Sequence, residues 1–193
     1  MCGRYYVDDE TAKEIERMVN KLDKRFEVKI KTDIYPTNSA PIIISNDKKE
    51  LALSHMNWGF SVTGNSLVIN AKTETITLRP MFSDSIKERR CLVPAKGFYE
   101  WNMQKEKASF ESVSGGTLLL AGVYKLIENK ICFVIITTEA NDSVINTHER
   151  MPLTIPIDSV SKWLLADDEY QTLLKRVPEE LTKTQGYEQQ SLF

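Results

Sequence analysis

The sequence predicts an α+β fold in a single domain, and three observations carry that reading. Strand-length apolar and β-branched runs dominate the middle of the chain, helical periodicity gathers towards its edges, and no linker, repeat or low-complexity tract divides the 193 residues. A chain of this length with 41% hydrophobic residues closes one sizeable core and is short for two.

The elements follow in order. Asp8 and Asp9 can cap a first helix running to about Leu22, on which Ile15, Met18, Val19 and Leu22 share a face while Lys13, Glu14, Arg17 and Lys21 stay wet. The turn-rich YPTNSAP of 35–41 leads into Ile42, Ile43 and Ile44, a buried strand. Alternation over 51–58 supplies its partner. Further strands are predicted at 67–69, 90–93, 98–101, 117–124 and 131–137, with Asn129 and Lys130 in the turn joining the last two. A helix is predicted over 73–88, interrupted at Pro80, which has no N–H to donate. Two more are predicted at 159–165 and 168–176, each opened by Ser or Asp.

Charge and cysteine usage narrow the function classes. The formal net charge is -2 with both signs interspersed, which argues against a generic binder of polyanions and confines any nucleic-acid contact to a local basic patch. Three cysteines, at 2, 91 and 132, make neither a paired disulfide framework nor a closely spaced zinc set, so a reducing compartment is expected. The start MCGRYYVDDE lacks an apolar stretch behind a basic end, and no run approaches the roughly 18 apolar residues of a membrane span. A soluble, cytoplasmic protein without a membrane partner is the expectation.

Cys2 is the first residue that could carry chemistry. A small second residue lets the initiator Met be trimmed, and one residue then offers both a thiol and an α-amine. With unperturbed values of about 7.7–8.0 for the amine and about 8.5 for the thiol, each is partly nucleophilic at neutral pH. The amine can attack an aldehyde to give an imine, and the thiolate can close on the imine carbon to give a thiazolidine. On the MCG triplet alone, an incidental cysteine in a frayed terminus is an equal reading. In INAKTET, 69–75, Asn70 precedes Lys72 and Glu74, and a cap or turn is its plainer role. In RRCLVPAKGFYEW, 89–101, alternation puts Glu100 on the face of Phe98, opposite Tyr99 and Trp101. A carboxylate there is either paired or working, or it is an edge-strand group pointing to water. His148, in NTHERMP, is an acid/base candidate because imidazole titrates near neutrality, whereas His55 within a strand reads as structural. Cys2, His55 and His148 have no recognised metal-ligand spacing, so no metal is expected.

Taken in order, MCGRY, YPTN..P, WGF, NAKTET, RPMF, RRCLVPAKGFYEW and H.RMP resemble the SOS response-associated peptidase family over roughly residues 1–165. The resemblance implies a barrel-like, mixed and largely antiparallel sheet surrounded by helices. It implies a protein that recognises abasic sites in single-stranded DNA and crosslinks to them through Cys2, shielding the lesion. A lyase side activity is implied by the imine, and removal of Met1 by the protein itself is implied by the family's name, though ordinary trimming explains it equally well. Asn70 then matches the asparagine that holds the sugar-derived part of the adduct, Glu100 the glutamate that handles protons, and His148 the histidine that assists proton transfer and reversal. Arg4, Lys72 and Arg150 match or replace cationic positions along the DNA path, Arg79 lies near enough to join them, and Asn38 of the YPTN motif is grouped with these DNA contacts. Of Arg89 and Arg90, one is expected to pair with an acid in the core. No cofactor is implied, and the protein is expected to act as a monomer.

Departures from the family pattern are local. Lys72 stands where many relatives carry arginine, which keeps charge and loses the bidentate fork. The segment 61–67 is short and lacks tryptophan, and the tail beyond about residue 177 finds no match, although 1–193 is read as one domain. Two other classes remain open on the residues: an N-terminal-nucleophile amidohydrolase, with Cys2 attacking an amide, and a non-catalytic single-stranded DNA-binding module.

Overall fold

A computed structural model describes residues 2–19, 32–62, 64 and 66–185. In chain order it contains β1 (Tyr5–Val7), α1 (Asp9–Met18), β2 (Thr32–Ile34), β3 (Ser39–Ser45), β4 (Leu51–Trp58), β5 (Phe60–Val62), β6 (Ser66–Val68) and β7 (Asn70–Lys72). There follow α2 (Ser83–Glu88), β8 (Arg90–Ala95), β9 (Gly97–Trp101), β10 (Lys107–Ser112), β11 (Leu118–Ile127), β12 (Lys130–Glu139), β13 (Arg150–Pro152), α3 (Val160–Leu164), α4 (Tyr170–Leu174) and β14 (Leu181–Gln185).

The long apolar runs become the wall of a closed barrel. Strands pair in the order β11-β8-β3-β4-β12, and β12 returns to β11, so the ring leaves no open edge. All of these pairings are antiparallel except β4 with β12, which makes the barrel mixed. Glu128 and Asn129 both have positive φ, 47° and 64°, as a two-residue hairpin turn of the twist-compatible kind requires. The turn is therefore one residue earlier than the sequence suggested, and Lys130 opens β12.

A second, antiparallel sheet of order β14-β10-β9-β1-β2 lies over the barrel. Phe98 stacks on Phe110 across it at 5.3 Å, and both share a buried cluster with Cys2, Tyr5, Trp58, Phe133, Ile135 and Met151. Gly97 permits the close approach of its strands: a Cβ there would meet the Phe110 carbonyl at 2.5 Å and the Tyr6 hydroxyl at 2.6 Å. A separate cluster gathers Ile15 of α1, Ile86 of α2, Trp163 of α3 and Leu173 of α4 with barrel side chains.

Several expectations are corrected. Helix α1 begins under the predicted cap, with Asp8 accepting the Thr11 N–H at 2.8 Å, but it ends at Met18 with Val19 as C-cap, and Leu22 lies outside the described residues. The helix expected over 73–88 is reduced to α2. Its first half is a chain of turns, in which Arg79 donates to Thr75 and Phe82 to Arg79, because Pro80 interrupts helical hydrogen bonding. Arg90 is buried, and among the described residues no carboxylate forms an ion pair with its guanidinium, although the charge of Asp167 acts on it. It donates to the carbonyls of Trp163 (2.6 Å), Ile86 (3.0 Å), Lys87 and Ala166 (2.7 Å) and lies 4.4 Å over the Tyr170 ring, so it satisfies carbonyls at the ends of two helices. Arg89 instead meets Glu88 at the surface. The unmatched tail supplies β14, which completes the second sheet on β10.

Candidate active site

The amino end enters the fold between the sheet and the barrel. Backbone pairing of Tyr5 with Phe98, together with the Tyr99 N–H to Arg4 carbonyl bond, draws residues 2–4 down against β9. Cys2 is completely buried, and its thiol points at the Arg4 carbonyl, 3.8 Å away. Burial pushes the thiol far above its ordinary range, and the charge of Glu100 adds to that effect. The expectation of a resting thiol near its ordinary value is corrected on this point: the thiol is held protonated.

Asn70 reaches the same place from the barrel. It opens β7, which runs parallel to β12 in the register Ile135 to Asn70, and its amide donates to the Cys2 carbonyl at 2.9 Å. Its other amide atom, Oδ1, is buried and has no hydrogen-bond partner among the described residues. Thr137 lies two residues further along β12, fully buried, with its hydroxyl equally unpartnered there. Sequence reasoning missed Thr137 because a threonine in the run VIITTE reads as one more β-branched strand residue.

Glu100 sits on β9, flanked by β1 and β10 and opposite Ala108, with 2% exposure. The edge-strand reading therefore falls. Burial raises its carboxyl to about 7, and the positive charge at the chain terminus pulls the other way. A buried acid balanced near neutrality can both accept and return a proton.

His148 closes a series of turns after β12, its N–H bonding the Val144 carbonyl at 3.0 Å. Nδ1 accepts the Arg150 N–H at 2.9 Å, which leaves the proton of a neutral ring on Nε2. Burial, and after it the same terminal ammonium that acts on Glu100, lowers its pKa below the ordinary value. The ring lines a cleft of about 510 Å³ with Trp101, Met103, Ile145 and Thr147. The Asn70 amide holds the Cys2 carbonyl, and the positive charge of the chain terminus acts on both Glu100 and His148.

The residues assigned to a DNA path are built in different ways. Lys72 and Arg79 are exposed. Arg4 lies 4.7, 5.0 and 5.6 Å over the rings of Tyr35, Trp101 and Tyr99 and 3.7 Å from the Asp33 carboxylate. Asn38 is an exposed turn residue whose Oδ1 accepts the Tyr35 N–H at 2.9 Å. Arg150 is buried, forked onto both Glu74 oxygens and donating to the Thr137 carbonyl at 2.6 Å. Among the described residues no three His, Cys, Asp or Glu side chains converge as metal ligands, and no helix is long and apolar enough to cross a membrane.

Comparison with known proteins meets this geometry. The profile described as SOS response associated peptidase (SRAP) matches residues 1–188, and so takes in the tail that the sequence motifs left unmatched. The chain is 27% identical over 213 residues to the abasic site processing protein YoaM of Bacillus subtilis, covering 100% of this chain and 92% of the relative. It is 27% identical over 181 residues to YoqW of the same organism, also named an abasic site processing protein, covering 85% and 80%. A crystal structure of a Bacteroides thetaiotaomicron protein superposes with a TM-score of 0.79 at 21% identity, covering 97% of this chain and 93% of that one, which shows the shared fold. The chain belongs to the SOS response associated peptidase family.

Proposed function

We propose that this protein processes abasic sites, capturing them covalently in single-stranded DNA through Cys2 once Met1 has been removed. The observation that carries the reading is the bond from the Asn70 amide to the Cys2 carbonyl in the same buried site as Glu100, whose carboxyl burial pushes up to about 7. The relatives YoaM and YoqW are named abasic site processing proteins, which supports the substrate class.

The chemistry balances without a redox step. A ring-opened abasic sugar presents an aldehyde. The Glu100 carboxylate takes a proton from the Cys2 ammonium, and the freed amine adds to the carbonyl carbon. Return of that proton to the carbinolamine oxygen releases water and leaves an iminium ion, whose N–H proton passes back to the Glu100 carboxylate to give the imine. The protonated thiol then adds across the C=N bond, sulfur to carbon and proton to nitrogen, closing a five-membered thiazolidine. A thiol held protonated by burial suits this order, in which the amine attacks first and the sulfur follows. It fits poorly with an amidohydrolase whose cysteine must attack as thiolate.

Asn70 holds the Cys2 backbone and offers its remaining oxygen to the adduct. His148 delivers its Nε2 proton at the sugar oxygen and assists release. The imine also permits β-elimination, hence a lyase side activity, and removal of Met1 by the same groups completes the reading. Lys72 and Arg79 contact phosphates directly, Arg4 stacks with its three rings against the strand, Asn38 lines the approach, and Arg150 holds His148 and Glu74 in place along the path. The protein acts as a cytoplasmic monomer.

Incubation with an abasic single-stranded oligonucleotide followed by a denaturing gel tests the reading. A covalent shift that disappears in Cys2→Ala is expected, with non-covalent affinity nearly unchanged. Binding without any covalent shift would leave a simple DNA-binding module, and hydrolysis of small amides without a DNA requirement would favour the amidohydrolase.

A further inference from the structure

The two proton-handling groups stand on different parts of the fold. Glu100 belongs to the second sheet, through β9, whereas His148 ends the turns between barrel strand β12 and its short partner β13. Their separation therefore depends on how the 141–148 turns, anchored at their base by β12 and β13, are tied to that sheet.

The tie converges on Asn141, which is 8% exposed. Its Nδ2 donates to the carbonyls of Pro178 and Glu179, both at 3.0 Å, immediately before β14. Its Oδ1 accepts from the Ser143 N–H at 3.2 Å and the Ser143 hydroxyl at 2.6 Å. The Ser143 hydroxyl in turn accepts the Leu181 N–H at 3.1 Å, at the first residue of β14. Donors and acceptors match in one orientation of the amide alone, since the flipped group would set oxygen against two carbonyls and NH2 against an N–H.

The network continues to both groups. The Asn141 carbonyl accepts from Val144 and Ile145, and the Val144 carbonyl accepts from Thr147 and His148. On the other side, β14 pairs with β10 from Gln185 to Leu181, and β10 pairs Ala108 with Glu100. Three hydrogen bonds through one buried amide and one hydroxyl thus join the turn that ends in His148 to the C-terminal strand of the sheet that carries Glu100, and two more within the turn hold that amide and hydroxyl together.

We propose that Asn141 is a positioning residue that latches the His148 turn to the C-terminal strand and so sets His148 against Glu100. This deepens the abasic-site reading and rests on it for the chemical consequence, while the latch itself can be read without DNA. The groups facing His148 electrostatically are Glu149, Arg150 and the amino terminus, and none of them is altered by changing Asn141.

The test is the imidazole titration of the full chain by NMR, for wild type, Asn141→Ala and the milder Ser143→Ala, with His55 as internal control. In Asn141→Ala the His148 midpoint should rise towards the ordinary value of about 6.5 as the turn loosens. Ser143→Ala should move it in the same direction by less, and keeps the idea testable if the Asn141 variant fails to fold. Release of preformed adduct to competing abasic DNA should slow by about tenfold to a hundredfold in Asn141→Ala, with its pH profile displaced alongside the His148 midpoint. A folded variant with an unmoved His148 titration overturns the latch. A wild type that forms no adduct overturns the abasic-site reading and leaves the titration to decide the latch.

Discussion

Cys2 and Glu100 are withdrawn from water and Asn70 is half-buried beside Cys2, all held by contacts that are remote in sequence, the Asn70 amide reaching a carbonyl 68 residues away. Lys72 and Arg79 stand exposed, on the end of a three-residue strand and on a turn. Arg4 and Arg150 lie between these extremes, one half-covered by aromatic rings, the other buried and forked onto Glu74. The difference teaches what each region can do. A reacting group needs a fixed position and a tuned pKa, which burial supplies at a cost in stability. A phosphate contact needs only charge within reach, and its contribution adds to its neighbours'.

The comparison breaks most visibly at Glu100. Glu100→Gln keeps the shape and removes the proton carrier, so capture should slow by about a hundredfold in a single-turnover gel assay. Because the carboxylate form accepts the ammonium proton, the wild-type rate should rise with pH through about 7, a step the variant lacks. Stability should move the opposite way. A carboxyl raised from 4.5 to about 7 by folding contributes stability that is fully present below 4.5 and is lost as pH rises through 7. Denaturant titrations should therefore find Glu100→Gln more resistant than wild type at pH 8, and equal resistance would show that Glu100 carries no burial strain.

Glu74→Ala asks to which region Arg150 belongs. If its guanidinium is part of the buried frame, the variant leaves it with the Thr137 carbonyl and water in place of the half-exposed carboxylate and should lose about 1–2 kcal/mol, read from the urea midpoint. Arg150 holds Glu74 below its ordinary value, so the pair's stabilisation exists above 4.5 and is lost as pH falls below it, and the variant should flatten that acid limb. Tighter, more salt-sensitive DNA binding at unchanged stability would instead move Arg150 into the exposed group. Gly97→Ala, three residues before Glu100, should cost about 2 kcal/mol because a Cβ has to displace Tyr6 or the Phe110 backbone. The smallest effects belong to Lys72→Ala and Arg79→Ala, each weakening binding alike on all sequences and lowering the salt slope by about one phosphate contact.

The same contrast explains what was legible beforehand. The barrel strands β3, β4, β11 and β12 were readable because period and apolar content are local properties. Strands β1, β10 and β14 went unrecognised, being short or rich in charged and hydroxyl residues and existing through partners far along the chain. Cys2, Asn70, Glu100 and His148 could be singled out by residue type and motif. The withdrawal of the Cys2 thiol, the Arg150 to Glu74 fork and the buried Thr137 hydroxyl, which meets no partner among the described residues, could not, since each depends on surroundings supplied by folding. Arg90 makes the point from the other side: its burial fitted a core ion pair, but helix-end carbonyls answered the charge instead.

The most direct test of the central claim is the intact mass of the adduct formed on an abasic single-stranded oligonucleotide, with peptide mapping of the linkage. The account predicts one species, the chain without Met1 plus the oligonucleotide minus one water, linked at Cys2 and absent from Cys2→Ala. An adduct that retains Met1, maps to another residue, or forms fully on Cys2→Ala would contradict it.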